Sequence, residues 1–265
     1  MTAQTQPALD PSDAGGAAVA TDFATTLDDV AAVEGWMTNG QARLLWDSAR
    51  RVRADGRIVE IGSFRGRSTV VLSRAADASV EVVAIDPHAG NDRGPQEIDG
   101  FVDEAARDHE VFLRNLHQAG VRDRVRHVRR MSDEAHAEVA DPVDLLYIDG
   151  AHRYGPARAD IHEWGARVSD GGTMLIHDSF SSIGVTLAII AELFTGTRWR
   201  YVGRSESMTE YRRERLGPKA RVANAVHQAL ELPWFACNVL IKVLITAKLG
   251  PLTRLLGHDP SVWPY

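Results

Sequence analysis

The sequence has one cysteine, Cys237, in 265 residues. No disulfide can close within the chain, and no zinc site built on several thiolates is possible. An excess of positive charge is also missing. Thirty Lys and Arg stand against 36 Asp and Glu, giving a net charge of −6 and a pI near 5.9. That balance argues against a nucleic-acid surface, which needs a basic field. Lysine is scarce: Lys219, Lys242 and Lys248 are the only three, and arginine supplies the rest, as GC-rich coding would. No run reaches the roughly 18 apolar residues of a spanning helix. The first residues lack a basic region followed by an apolar core, so they do not read as a secretory signal. The expected location is the cytoplasm. Neither the Gly-x-Gly-x-x-Gly dinucleotide fingerprint nor a P-loop lysine occurs.

What is present is alternation. Apolar, β-branched runs at 58–61, 80–85, 124–128, 144–148 and 173–176 are separated by segments of helical period. This predicts an α/β fold, a parallel sheet with helices on both faces. Residues 28–53 should form short helices, and 197–211 a closing hairpin. Pro156 suits a first helical turn, with Ala157, Ile161, Trp164 and Val168 on one face and Gly171-Gly172 ending the helix and starting the next strand. Residues 1–26, rich in Ala, Gly, Thr, Pro and Asp, read as a mobile segment. The polar stretch 87–107 reads as a lid closing with Trp36 over a substrate. Residues 213–265 read as a helical extension. In it Val222, Val226, Ala229 and Leu230 form an amphipathic helix, Pro233 stops that helix, and Trp234–Leu249 is strongly apolar.

Two strand-to-turn segments carry the chemistry, because ligands bind at the carboxyl ends of strands in open α/β sheets. Glu60-Ile-Gly-Ser-Phe-Arg-Gly66 has an acid two positions before Gly62, which suits a ligand with an ammonium group better than a pyrophosphate. Asp86 ends the next strand, where a carboxylate can accept from both ribose hydroxyls or simply cap a turn. Met131-Ser132 could hold an adenine edge, although Ser132 also suits a helix N-cap. The second segment ends in Asp149 and His152, and the following strand in His177-Asp178. Two carboxylates on neighbouring strand ends call for a cation between them, and a histidine there can take a proton near neutral pH.

These residues resemble the class I S-adenosylmethionine-dependent methyltransferases. More narrowly, they are similar to bacterial O-methyltransferases with the pattern Ile148-Asp-Gly-Ala-His-Arg-Tyr154, Asp160, Trp164, Gly171-Gly172 and His177-Asp178. The resemblance implies a Rossmann-like, mostly parallel seven-stranded sheet whose last strand is antiparallel. It implies S-adenosylmethionine as cofactor, with Glu60, Gly62, Ser63 and Ser68 on its methionine side and Asp86 on its ribose. The full cofactor set expected here adds Ile61, Gly66, His88, Met131, Ser132 and Asp149. Similar actinobacterial sugar O-methyltransferases imply Mg2+ at Asp149, His177 and Asp178, with an acid where this chain has His177. They also imply His152 as base beside Asp149, and an acceptor that is a saccharide or glycosylated product, met here by Trp36 and Tyr154. A nicotinamide-dependent oxidoreductase and a non-catalytic partner protein with the same fold are the other readings. The apolar extension predicts a homodimer, with membrane contact the lesser expectation.

Overall fold

A computed structural model describes residues 22–89 and 102–259. The expected mobile N-terminal segment lies mostly outside them, and so does most of the expected lid. Where the two segments are described, they are partly helical. Helix α1 (Phe23–Val30) starts inside 1–26 with Asp22 as its N-cap, and α4 (Val102–Gln118) starts inside 87–107.

Between them lie α2 (Asn39–Arg50), β1 (Arg57–Ile61), α3 (Arg67–Ala75) and β2 (Glu81–Ile85). After α4 come β3 (Val125–Val128), β4 (Val143–Ile148), α5 (Tyr154–Ala159), β5 (Val168–Ile176) and α6 (Ile183–Leu193). The chain continues through β6 (Trp199–Ser205), β7 (Met208–Arg213), α7 (Pro218–Ala229) and α8 (Leu232–Thr246). The sheet order is β3-β2-β1-β4-β5-β7-β6, parallel as far as β5 and antiparallel at β7, as expected.

Each inner strand buries both faces, because side chains alternate along it. Val59, Ile61, Leu146, Ile148 and Ile176 pack with Ile161, Trp164 and Ile189. Ile58, Leu145, Tyr147 and Leu175 pack with Leu45, Trp46, Val71 and Phe112. The expectation of helices on both faces is met for this reason.

Two local expectations fail. Helix α5 continues only through a π-helical turn, Asp160–Trp164, and Val168 already belongs to β5. Gly171 (φ +81°) and Gly172 therefore do not end the helix. They lie inside β5, where its register against β4 jumps from Val143↔Val168 to Leu145↔Thr173. An irregularity of this kind uses glycine for its left-handed residue. Nor does Pro233 stop a helix: it sits in the first turn of α8, where a missing N–H costs nothing. Residues Pro218–Thr246 run nearly continuously for 29 residues, and the most apolar part of that stretch has a mean hydropathy of 1.5. By length and composition alone that stretch could cross a membrane, a length that counting uninterrupted apolar residues does not reveal.

Candidate active site

The carboxyl ends of β1, β2, β4 and β5 open into one cavity of about 860 Å³. Its first wall is the turn after β1. Gly62 has φ +84°, and a Cβ there would stand 2.1 Å from the Asp149 carbonyl oxygen, so only glycine fits. The Asp86 carboxylate reaches across from β2 and accepts from the amides of Ser63 (3.0 Å), Phe64 (2.8 Å) and His88 (2.7 Å). The loop amides that would cradle a phosphate are thus already paired with an anion of the chain itself.

Glu60 is placed differently from expectation. It is fully buried and does not line the cavity; its carboxylate accepts from the Ser68 and Thr69 hydroxyls at the start of α3. Burial pushes its pKa up to about 8, with the two hydroxyl bonds opposing. A carboxylate with its pKa raised on folding stabilises most below its unfolded pKa, and that stability is lost as pH rises through about 8. Glu60→Gln removes the titration. Its melting temperature should therefore gain on the parent's progressively between pH 5 and 8. A parent-minus-variant difference independent of pH would show that Glu60 does not titrate in this window.

The second wall holds the ionisable cluster. Asp149, at the end of β4, accepts from Tyr147 Oη at 2.9 Å. Burial, then the charge of Asp149, holds the Tyr147 hydroxyl well above its usual range, so it stays a donor. His152 Nε2 lies 2.8 Å from Asp178 Oδ2. Burial alone would lower the pKa of His152, but Asp178, joined by Asp149, outweighs it and the net shift is upward. Asp178, at φ +54°, is held far below the carboxylate range: burial opposes this, and His177 and His152 overcome it.

His177 is buried with its Nδ1 3.1 Å from Asp149 Oδ1 and 3.4 Å from Asp178 Oδ2. Neither ring nitrogen is aligned on a hydrogen-bond partner. Burial disfavours its cation, yet the two carboxylates raise its pKa well above 6.5. Among the described residues, the ligand atoms that converge within 4.8 Å are those of Asp149, His152 and Asp178, so His152 stands in the set where His177 was expected.

Of the other expected residues, Ile61, Gly62, Ser63, Ser68, Asp86, His88, Met131, Ser132 and Asp149 line the cavity. So does Trp36, half exposed and tilted against Phe64 with ring centroids 5.5 Å apart. A capping box at Thr38 and Gln41, and the Gln41–Ser207 bond, hold the start of α2 just after Trp36. Gly66 and Tyr154 lie off the wall. Gly66 (φ +86°) turns into α3 against Phe112, and Tyr154 is exposed on α5.

Sequence reasoning missed part of the wall. Asp160, whose pKa burial pushes up to about 6, contributes to it, and so do Arg65 and Arg67 of the β1–α3 turn. Val239 and Lys242 come from α8. Lys242 donates to the carbonyl (3.0 Å) and hydroxyl (3.2 Å) of Ser181, and Asn238 donates to the Phe180 carbonyl (3.2 Å). Their signal in the sequence was polarity inside an apolar run.

Comparison with known proteins agrees with this architecture. The family described as Methyltransferase domain matches residues 59–179. An uncharacterized protein of Sinorhizobium fredii, y4gI, is 32% identical over 148 residues; the match covers 54% of this chain and 15% of that protein. The methyltransferase PaMTH1 of Podospora anserina, solved with SAH, superposes with a TM-score of 0.52 at 17% identity, over 72% of this chain and 87% of that one. The O-methyltransferase NovP gives 0.50 at 19% identity, over 68% and 84%. At such identities the likeness is one of fold. Residues 59–179 are therefore a methyltransferase domain, and the chain that carries them has the class I methyltransferase fold.

Proposed function

We propose that this protein transfers a methyl group from S-adenosylmethionine to a hydroxyl of a saccharide or glycosylated product, with His152 as general base. The observation that carries the reading is the 2.8 Å His152–Asp178 pair on the same cavity wall as the Gly62 turn and Asp86. The cofactor supplies an electrophilic methyl group on sulfur. The chain's residues do the rest. Gly62 allows close approach of the backbone, and Asp86 braces the turn while facing the cavity. With Nε2 directed at Asp178, Nδ1 of His152 is left to take the proton of the acceptor hydroxyl, and the ionised Asp178 steadies the resulting imidazolium. The saccharide assignment rests on the resemblance of Ile148–Tyr154 and His177-Asp178 to sugar O-methyltransferases.

A divalent ion fits the donor set of Asp149, His152 and Asp178, two hard carboxylates and an imidazole. It would lower the pKa of an acceptor hydroxyl. Ligation by both carboxylates leaves His152 as base, and excess chelator should then lower turnover while cofactor affinity is kept. Full activity in chelator would remove the ion from the reaction.

Calorimetry tests the cofactor. S-adenosylmethionine should bind and NAD should not, and Asp86→Ala should weaken binding by about 1–3 kcal/mol through unpaired hydroxyls and amides. Radiolabelled methyl transfer to a panel of saccharides, catechols and polyketide hydroxyls tests the acceptor. Labelling confined to the non-sugar members would refute the saccharide reading.

A further inference from the structure

The C-terminal helices carry their polarity inside out. On α7, Asn224 and Gln228 are buried: Asn224 Oδ1 accepts from the Tyr201 amide at 2.7 Å, and Gln228 Oε1 accepts from Tyr211 Oη at 3.0 Å. On α8, Asn238 and Lys242 face the domain through Phe180 and Ser181. The opposite face of α7 exposes Val222, Val226 and Leu230, and that of α8 exposes Leu240 and Val243. These positions recur at i+3 and i+4, one continuous stripe along each helix. Only 11% of the most apolar stretch of Pro218–Thr246 is buried. Leu249, Leu252 and Leu255 extend the exposed apolar surface beyond α8.

Charge is segregated in the same region. Between Gly217 and Gly257 the single carboxylate is Glu231, which is held inward by Tyr201 Oη (2.8 Å) and Arg204 (2.7 Å). The exposed charges are Lys219, Arg221, Lys248 and Arg254, all cationic, on a chain whose net charge is −6. Glu214 and Asp259 lie just beyond the two ends of the segment, and within it an apolar stripe whose exposed formal charges are all cationic is complementary to an anionic lipid surface. Two copies of the same face would bring like charges together.

We propose that α7 and α8 form an in-plane docking surface for an anionic bilayer. The helices do not cross the membrane. Hydrogen bonds to the domain recur from Asn224 on α7 to Lys242 on α8, and insertion of the two helices across the bilayer would break all of them. Since Val239 and Lys242 also line the cavity, docking sets its α8 wall beside the lipid. Resting on the methyl-transfer reading, this makes the acceptor a lipid-linked saccharide presented at the membrane surface.

Co-sedimentation of the full chain with vesicles tests the surface. Vesicles of phosphatidylcholine containing phosphatidylglycerol should bind at least about 10-fold more protein than phosphatidylcholine alone, and less in high salt. The double variant Leu230→Glu/Val243→Glu, at two exposed positions, should lose about 10-fold or more of this binding with an unchanged melting curve. Lys248→Glu/Arg254→Glu should lose the preference for anionic lipid. Wild-type protein that ignores both vesicles overturns the proposal. So does equal binding by the parent and both variants. A dimer that Leu230→Glu/Val243→Glu dissociates, without vesicle binding by the parent, assigns the face to a second copy instead. Calorimetry with S-adenosylmethionine on the same samples separates failure of docking from failure of the methyltransferase reading.

Discussion

Gly62→Ala should destabilise the fold by roughly 3–5 kcal/mol and abolish S-adenosylmethionine binding. The variant Cβ would meet the Asp149 carbonyl oxygen at 2.1 Å and the Gly150 amide nitrogen at 2.9 Å, both of them backbone. Relief requires parting the ends of β1 and β4, which pair through Ile61↔Ile148. The left-handed backbone at φ +84° adds about 1–2 kcal/mol of strain for a residue with a Cβ. Gly120→Ala is the control. Gly120 also has a positive φ (+69°), but nothing lies within 4 Å of its Cβ, so it should cost only the strain. Denaturant unfolding and calorimetry measure both variants. Equal costs at the two glycines would show that the contact with Asp149 is unimportant.

Removal of the imidazole by His152→Ala should lower turnover about 10²–10⁴-fold while cofactor affinity is retained. The pH profile gives a finer test. As a base, His152 works only when neutral, and Asp178 raises its pKa above 6.5 against the opposing effect of burial. Activity should therefore rise with pH through that raised pKa. Asp178→Asn removes the charge that raises it, so the acidic limb should move to lower pH even as the maximal rate falls. A limb that stays in place would assign the titration to a different group, and a fully active His152→Ala would end the base assignment.

The sheet was legible in the sequence because its information is local. Runs such as Leu145–Ile148, and Ile58–Ile61 apart from Glu60, are apolar along their length, as strands covered on both faces must be. The turns after them carry Gly62, Asp86, Asp149 and His152, so the strand rule alone brought these residues to one edge. Contacts between distant segments decided the rest. Glu60 alternates to a buried face and meets Ser68 and Thr69, which no spacing announces. The Asp86 carboxylate is taken up by amides 22 and 23 residues earlier. His177 sits beside both carboxylates, which raise its pKa, and His152 joins the converging ligand set in its place.

The C-terminal helices show the division most plainly. Their apolar character and their few polar interruptions are fixed by the sequence. Which face turns outward is not, because hydropathy alone would bury Val226 and expose Gln228. Tyr211, Tyr201, Phe180 and Ser181 offer buried polar groups that pair with Gln228, Asn224, Asn238 and Lys242. A buried polar group left without a partner costs about 1–3 kcal/mol. The tertiary structure therefore turned the polar side inward and left the apolar side of Val222, Val226, Leu240 and Val243 exposed.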